Sequence, residues 1–153
     1  MKRTQLILIL TLSLLTVLGT ACAKPQVATG ATSISQIVIK SVTLAQSLNE
    51  NFQAVNPRTQ FYPTDTIFVS VDVAGRPTTG ALNGKFYLDT QLISEATLDF
   101  STVNQGLIFS VGEDTYAGFN LSPSQPWPVG TGYRFELYIN GSKYGDYTFE
   151  VIE

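Results

Sequence analysis

The 153-residue sequence contains no histidine and only one cysteine. Without histidine the commonest general base and metal ligand is absent, and a serine nucleophile has no imidazole to activate it. A single cysteine forms neither an intrachain disulfide nor a cysteine-rich metal site. Only 14% of the residues are charged, with a formal net charge of −3, which argues against a disordered chain, a coiled coil and a basic nucleic-acid-binding protein. The length supports one domain, or two at most.

The first residues have the pattern of a targeting segment. Lys2 and Arg3 precede an uncharged run over residues 6–18 that is dominated by leucine and isoleucine. A helix of that length spans about 20 Å, which is short of the roughly 30 Å hydrocarbon core and disfavours a transmembrane helix. We therefore predict that residues 1–21 are a cleaved signal peptide.

The apolar run ends in the sequence LGTAC at residues 18–22, which resembles the lipobox of bacterial lipoproteins, with Gly19 in the place that usually holds leucine. The resemblance implies that Cys22 receives a thioether-linked diacylglyceryl group and becomes the mature N-terminus. The protein is then exported and anchored to the cell membrane or the outer membrane. An ordinary secretory leader with a chance cysteine is the alternative. Loss of Lys2 and Arg3 changes the net charge to −5, which disfavours nucleic acid as a partner.

After Cys22 the chain divides into a tether and a folded domain. Residues 22–33 comprise the lipidated N-terminus that the lipobox resemblance implies and a stretch of mostly small and polar residues, whose composition predicts a flexible tether. Over residues 34–153 apolar side chains alternate with period 2, as in half-buried strands. The predicted strands are residues 37–40, 67–73, 85–92, 96–101, 107–111, 116–121, 133–139 and 147–152. About seven to nine strands separated by glycine and proline predict an all-β, antiparallel β-sandwich.

Two segments are ambiguous. In residues 43–52 the spacing of Leu44, Leu48 and Phe52 is helical, but Thr43 and the two asparagines are poor helix formers, so a strand followed by a turn is favoured over a short helix. The Asn140-Gly141 pair predicts a two-residue β-hairpin turn. A regular hairpin around that turn would point Phe149 away from the core face of Phe135, because cross-strand partners share a face. We therefore predict either a three-residue loop or a β-bulge near Gly145.

Several segments together resemble an immunoglobulin-like sandwich domain of the kind found in bacterial cell-envelope lipoproteins. They are Phe61 with DTIFVSV at 65–71, then WPVG at 127–130, Tyr133, Leu137, Asn140-Gly141 and FEV at 149–151. The resemblance covers most of the mature domain and implies an immunoglobulin-like fold without the core cysteines. It also implies that Tyr133 is a structural tyrosine corner, whose hydroxyl caps the start of its strand.

Catalytic patterns are absent from the sequence. Ser142 and Lys143 are adjacent on a strand and point to opposite faces, so they do not form a serine–lysine pair. The acidic pairs Glu113-Asp114 and Glu95 with Asp99 are interpreted as solvated loop and edge charges rather than a glycosidase pair. Neither a calcium-loop spacing nor a phosphate-binding glycine loop occurs. We predict a non-enzymatic protein that uses no cofactor and no metal.

Three aromatic residues are candidate ligand-binding residues. Trp127 lies between two prolines that stiffen its loop, Tyr138 has the outward parity of its strand, and Tyr144 lies just past the hairpin turn. Such side chains can stack on sugars or anchor a protein partner. Alternatively, Trp127 packs over the open end of the sandwich and the tyrosines are merely strand formers. The leading hypothesis is a lipid-anchored interaction or structural module that contacts an unknown envelope protein; the alternative is a carbohydrate-binding module that uses Trp127.

The lipid anchor is testable by fractionation of cells that express the full chain. Each acyl CH₂ inserted into a bilayer contributes about 0.8 kcal/mol, so two or three acyl chains hold a protein durably at the membrane. We expect the wild type to fractionate with membranes and the Cys22→Ala variant to be released as soluble protein. Equal membrane retention of the two would show that Cys22 is not the anchor.

Overall fold

The computed structural model describes residues 36–102 and 108–153, and within these ranges the chain is all-β. The ten strands are β1 (Ile39–Leu48), β2 (Ala54–Pro57), β3 (Gln60–Phe61), β4 (Ile67–Val73), β5 (Ala81–Leu88), β6 (Gln91–Asp99), β7 (Ile108–Val111), β8 (Asp114–Leu121), β9 (Gly130–Ile139) and β10 (Ser142–Val151). They form two five-stranded sheets packed as a β-sandwich. The predicted all-β sandwich is confirmed, with ten strands rather than seven to nine. The predicted signal peptide (1–21), Cys22, the tether (22–33) and the first two residues of the predicted domain lie outside the described residues.

The strand order is that of an immunoglobulin-like sandwich. Sheet A has the order β2-β1-β4-β8-β7 and sheet B has the order β3-β10-β9-β5-β6. Strands β1, β4, β8 and β7 correspond to strands A, B, E and D of an immunoglobulin domain, and β5, β9 and β10 correspond to C, F and G. Strand β6 extends the second sheet beside β5, where variable-type domains have C′. Neighbouring strands are antiparallel except β3, which is parallel to β10.

The core lies between the central strands of the two sheets. In β4 the alternating residues Ile67, Val69, Val71 and Val73 are fully buried. They face aromatic residues of sheet B, and an aromatic cluster fills the middle of the sandwich: the ring centroids of Phe86 and Phe119 lie 4.9 and 5.5 Å from that of Phe135. Burial of such side chains away from water is the main favourable contribution to folding.

Two predicted strand boundaries are wrong, because the chain reverses where a continuous strand was expected. The predicted strand at 85–92 is interrupted by a two-residue turn at Asp89 and Thr90, and Leu88 pairs directly with Gln91. The predicted strand at 96–101 is the second half of β6, which begins at Gln91 and ends at Asp99. Asp89 takes the left-handed conformation that the turn needs, with φ of 51°. The turn contains no glycine, so the usual sequence signal is missing.

Residues 43–52 form a strand followed by a turn, as favoured from sequence. Strand β1 continues to Leu48, and the chain then turns so that Phe52 folds back beside Leu48. Both side chains cover Gly118 on the outer face of sheet A: an added Cβ there would lie 2.7 Å from Phe52 Cδ1 and 2.9 Å from Leu48 Cδ1. Ser70 Oγ donates a 2.7 Å hydrogen bond to the Phe52 carbonyl. The helix-like spacing of Leu48 and Phe52 thus reflects a reversal of the chain.

The hairpin of β9 and β10 contains the predicted bulge. Ile139 pairs with Ser142 across the two-residue turn, where Asn140 and Gly141 have φ of 49° and 82°. The register then shifts between Lys143 and Gly145, so that Gly145 rather than Tyr144 lies opposite Leu137. The bulge alternative is confirmed and the three-residue loop is wrong. As a result Phe149 pairs with Tyr133, and both are buried in the core.

Gly84 on β5 makes the aromatic cluster possible. A Cβ at this position would lie 2.7 Å from ring carbons of both Phe119 and Phe135. We expect Gly84→Ala to lower the free energy of unfolding by about 1–3 kcal/mol, the usual cost of overpacking a core. Chemical denaturation measures this change. The matched control is Gly130→Ala at the start of β9, where nothing lies within 4 Å of an added Cβ. Equal stability of the two variants would contradict this account of Gly84.

Candidate functional site

Trp127 lies in the loop that connects β8 to β9 and is bonded to the loop before β4. Its backbone N–H donates to the Pro63 carbonyl at 2.8 Å, and its indole Nε1–H donates to the Asp65 carbonyl at 3.0 Å. The ring is half-buried and packs against the core. Both polar groups of Trp127 are therefore used to join two loops at one end of the sandwich, which is the packing alternative stated for this residue.

Tyr133 holds the same end of the sandwich. It is buried, and its hydroxyl donates a 2.7 Å hydrogen bond to the carbonyl of Pro128. Its ring stacks on Phe149 with centroids 5.4 Å apart. Burial, assisted by the nearby Asp89 carboxylate, raises the pKa of the Tyr133 hydroxyl. A tyrosine near the start of this strand that bonds to the backbone a few residues upstream has the geometry of a tyrosine corner.

Tyr138 belongs to a polar group that we call the carboxylate network: Arg134, Glu136, Tyr138 and Lys143 on the outer face of sheet B. Glu136 is only 5% exposed. Its carboxylate accepts hydrogen bonds from Arg134 Nε at 3.0 Å, Lys143 Nζ at 2.9 Å and the Tyr138 hydroxyl at 2.8 Å. Burial by itself raises the pKa of Glu136, but the three hydrogen bonds outweigh it and lower the pKa to about 2.

Cations cover the rings of the two tyrosines on this face. The Arg134 guanidinium carbon lies 4.3 Å from the ring centroid of Tyr87, and Lys85 Nζ lies 5.0 Å from that of Tyr138. Arg134 also donates to the backbone carbonyl of Asp89. Because these side chains form hydrogen bonds and cation–π contacts with one another, their polar groups and rings are already engaged on the outer face of sheet B. It offers no bare aromatic ring on which a sugar can stack.

Tyr144 is placed differently, because the bulge projects it out of the strand. It is 49% exposed and lies beside Val38, which is 50% exposed. The two side chains border an open groove of about 620 Å³, which we call the N-terminal groove. Its apolar lining comes from Ile37, Val38, Ile39 and Ile139 together with the ring of Tyr144, and Gln36 and Asn140 add polar groups. An exposed aromatic beside an apolar recess is the usual composition of a protein contact.

Three of the four acidic residues weighed as possible catalysts, Glu95, Asp99 and Asp114, accept hydrogen bonds from neighbouring groups. Glu95 accepts from Asn83 at 2.8 Å and Asp114 pairs with Lys40 at 2.7 Å. Asp99 accepts from the backbone and hydroxyl of Ser101. These hydrogen bonds lower the pKa of all three carboxyl groups. Within the described ranges, no group of three or more histidine, cysteine, aspartate or glutamate side chains is placed to hold a metal ion.

The membrane-anchoring prediction concerns a part of the chain outside these ranges. Cys22 precedes the first described residue, Gln36, so its lipidation stays a prediction. Among the residues that the structure describes, no helix is long and apolar enough to cross a membrane. The chain matches no known protein family and no curated protein sequence.

The carboxylate network was missed at the level of sequence. Arg134, Glu136 and Tyr138 share the outward parity of β9, and this alternation of a cation, an anion and a tyrosine was a visible signal. The burial of Glu136 was not visible, because it depends on the neighbouring strands: Lys85 and Asp146 lie directly opposite Glu136 on β5 and β10. Lys143, the residue before the bulge, also donates a hydrogen bond to the Glu136 carboxylate.

The low pKa of Glu136 predicts a pH-dependent contribution to stability. Since the pKa of Glu136 lies near 2 in the folded protein and is ordinarily 4.5, the contribution is full above about pH 4.5 and is lost as the pH falls toward 2. We expect Glu136→Gln to lower the free energy of unfolding near pH 7 by about 1.5–3 kcal/mol, the usual worth of hydrogen bonds to a charged group. Denaturant titrations at several pH values measure the difference from the wild type.

The difference between wild type and Glu136→Gln should shrink between pH 4.5 and pH 2. Glu113→Gln, which alters an exposed turn between β7 and β8, is the control and should show no such pH-dependent difference. A constant difference across that pH range would mean that the charge of Glu136 does not stabilise the fold.

Proposed function

We propose that this chain is an exported, lipid-anchored and non-catalytic protein of the cell envelope, and that its immunoglobulin-like sandwich binds a protein partner. The proposed anchor rests on the sequence at residues 18–22. The proposed binding role rests on one observation, the exposed position of Tyr144 beside the N-terminal groove.

Tyr144 is the candidate aromatic whose side chain remains accessible for a partner. Trp127 uses its indole N–H within the fold, and Tyr138 uses its hydroxyl on Glu136. Tyr144 has no hydrogen-bond partner for its hydroxyl among residues 36–102 and 108–153, and half of its surface is exposed. Tyrosine is among the residues that contribute most to protein interfaces, because its ring buries a large area and its hydroxyl still finds a polar partner.

The groove chemistry favours a protein over a glycan. Its lining is mainly aliphatic, from three isoleucines and Val38, whereas sugar binding needs polar hydrogen-bonding groups combined with bare aromatic rings. The carbohydrate-binding alternative depended on Trp127, and the hydrogen bonds of Trp127 to Pro63 and Asp65 favour a packing role for that residue over a binding one. The hydrogen bonds that Glu95, Asp99 and Asp114 accept from neighbouring groups support a non-catalytic role for the protein.

The proposed binding role is testable by co-purification of the full chain from detergent-solubilised membranes. We expect Tyr144→Ser to reduce the amount of co-purifying envelope protein at least tenfold, since loss of an interface anchor costs about 2 kcal/mol or more. Tyr62→Ser is the matched control, because Tyr62 is 50% exposed but lies in the loop contacted by Trp127. Retention of the partner by the Tyr144 variant would contradict this role for the groove. Saturable binding of purified chain to peptidoglycan or polysaccharide fragments would favour the carbohydrate-binding alternative.

A further inference from the structure

Strand β10 has a neighbour on only one side for most of its length. Strand β9 pairs with it from Ser142 to Val151, whereas β3 reaches it only at Glu150 and Val151. In the described part of the chain, no strand flanks the other side of β10 between Ser142 and Phe149. This stretch is a free sheet edge.

The backbone of this edge points outward at known residues. The Glu150 N–H donates to the Thr59 carbonyl at 2.9 Å and so points away from β9. Since backbone groups alternate in direction along a strand, the N–H and C=O groups of Thr148 and Asp146 point the same way. Both residues are exposed. Two successive positions of β10 therefore present unpaired backbone donors and acceptors, which is the pattern that pairs with an added strand.

A groove runs beside this sheet edge. Among the residues that the structure describes, no strand pairs with the outer side of the facing strand β1 over Ile39–Thr43, because β2 pairs only with the later part of β1. A groove of about 470 Å³ lies between the two strands, and its lining includes Val42, Leu44, Tyr147 and Thr148. The N-terminal groove, with Tyr144, lies nearer the beginning of β10.

We infer that an extended segment of a second envelope protein adds as a strand along β10, pairs with the backbone of Asp146 and Thr148, and places an apolar side chain in the N-terminal groove beside Tyr144. The inference rests on the proposed function and specifies its partner. Main-chain hydrogen bonds supply affinity in this mode of recognition, and pockets for alternate side chains supply specificity.

The position of the groove along the chain argues for a partner in the envelope. Thirteen residues separate Cys22 from Gln36, which lines the groove. A chain of that length reaches at most about 45 Å. With lipid on Cys22, the chain enters the sandwich beside the groove within about 45 Å of the membrane surface, so the groove and the free edge of β10 lie within reach of other membrane-attached envelope proteins.

A second copy of the chain fits this edge less well. Antiparallel pairing of two β10 strands requires a two-fold axis perpendicular to them. The bulge after Lys143 interrupts regular pairing between two identical edges, because each copy brings the same irregularity to the shared ladder.

The test uses the full chain in cells, with the photo-cross-linking residue p-benzoylphenylalanine in place of Tyr144. The second substitution is Thr148→Pro, which removes an outward N–H without breaking the ladder to β9. Thr148→Ala is the matched control, because it removes the same side chain and keeps the N–H. We expect a discrete protein adduct that Thr148→Ala retains and Thr148→Pro reduces at least tenfold. Asp146→Pro, at the other outward position, should act in the same way.

Each other outcome overturns the inference. An adduct that both proline variants retain, with thermal melts near that of the wild type, excludes strand addition. An adduct twice the mass of the chain identifies a second copy, and a cross-link to residues 23–35 identifies the chain's own N-terminal segment. Absence of any protein adduct while the chain remains membrane-bound excludes this site but leaves the lipid anchor intact. Release of the chain into the soluble fraction instead refutes the anchor.

Discussion

The alternation of side chains along β9 and β10 is the constraint on which the rest of the sandwich depends. Tyr133, Phe135 and Leu137 face the core from β9, and Phe149 and Val151 must join them from β10. A tight turn at Asn140-Gly141 cannot meet both requirements with a regular ladder. One extra residue in β10 resolves the conflict, and that residue is Tyr144. The most exposed aromatic side chain of the hairpin is thus a geometric consequence of filling the core.

The same shift organises the outer face of sheet B. Lys143 precedes the bulge and Asp146 follows it, yet both side chains lie on the outer face, where Lys143 contacts Glu136 and Asp146 at 2.9 and 2.6 Å. These contacts raise the pKa of Lys143 to about 12. A buried carboxylate is costly unless it is fully hydrogen-bonded, and Glu136 meets that condition through its three donors. The register of β9 against β10 therefore places both the polar side chains of the outer face and the aromatic side chains of the core in contact with their partners.

Much of the fold was predictable because period-2 alternation is a local signal. The strands around Val69 and Phe135 follow from parity alone, and parity with turn chemistry reduced the β9–β10 hairpin to two alternatives, of which the structure has the bulge near Gly145. The turn at Asp89-Thr90 was not predictable, since aspartate adopts the left-handed conformation there without a glycine to mark it. The short strands β2 and β3 also carry little periodicity. For the candidate site, sequence identified Tyr144, but the engagement of Trp127 and Tyr138 depends on residues distant in sequence, which no local pattern reveals.

The beginnings of β1 and β10 lie at the same end of the sandwich, and both border the N-terminal groove. This placement bears on how the domain would carry mechanical load. If the chain is anchored before Gln36 and a partner binds β10 as proposed, tension between the two passes through the first residues of β1, the groove and the neighbouring hairpin turn. The opposite end, where Trp127 and Tyr133 join the loops, lies outside that path. Under the proposed anchor and partner, force would therefore cross one end of the sandwich and bypass the aromatic core.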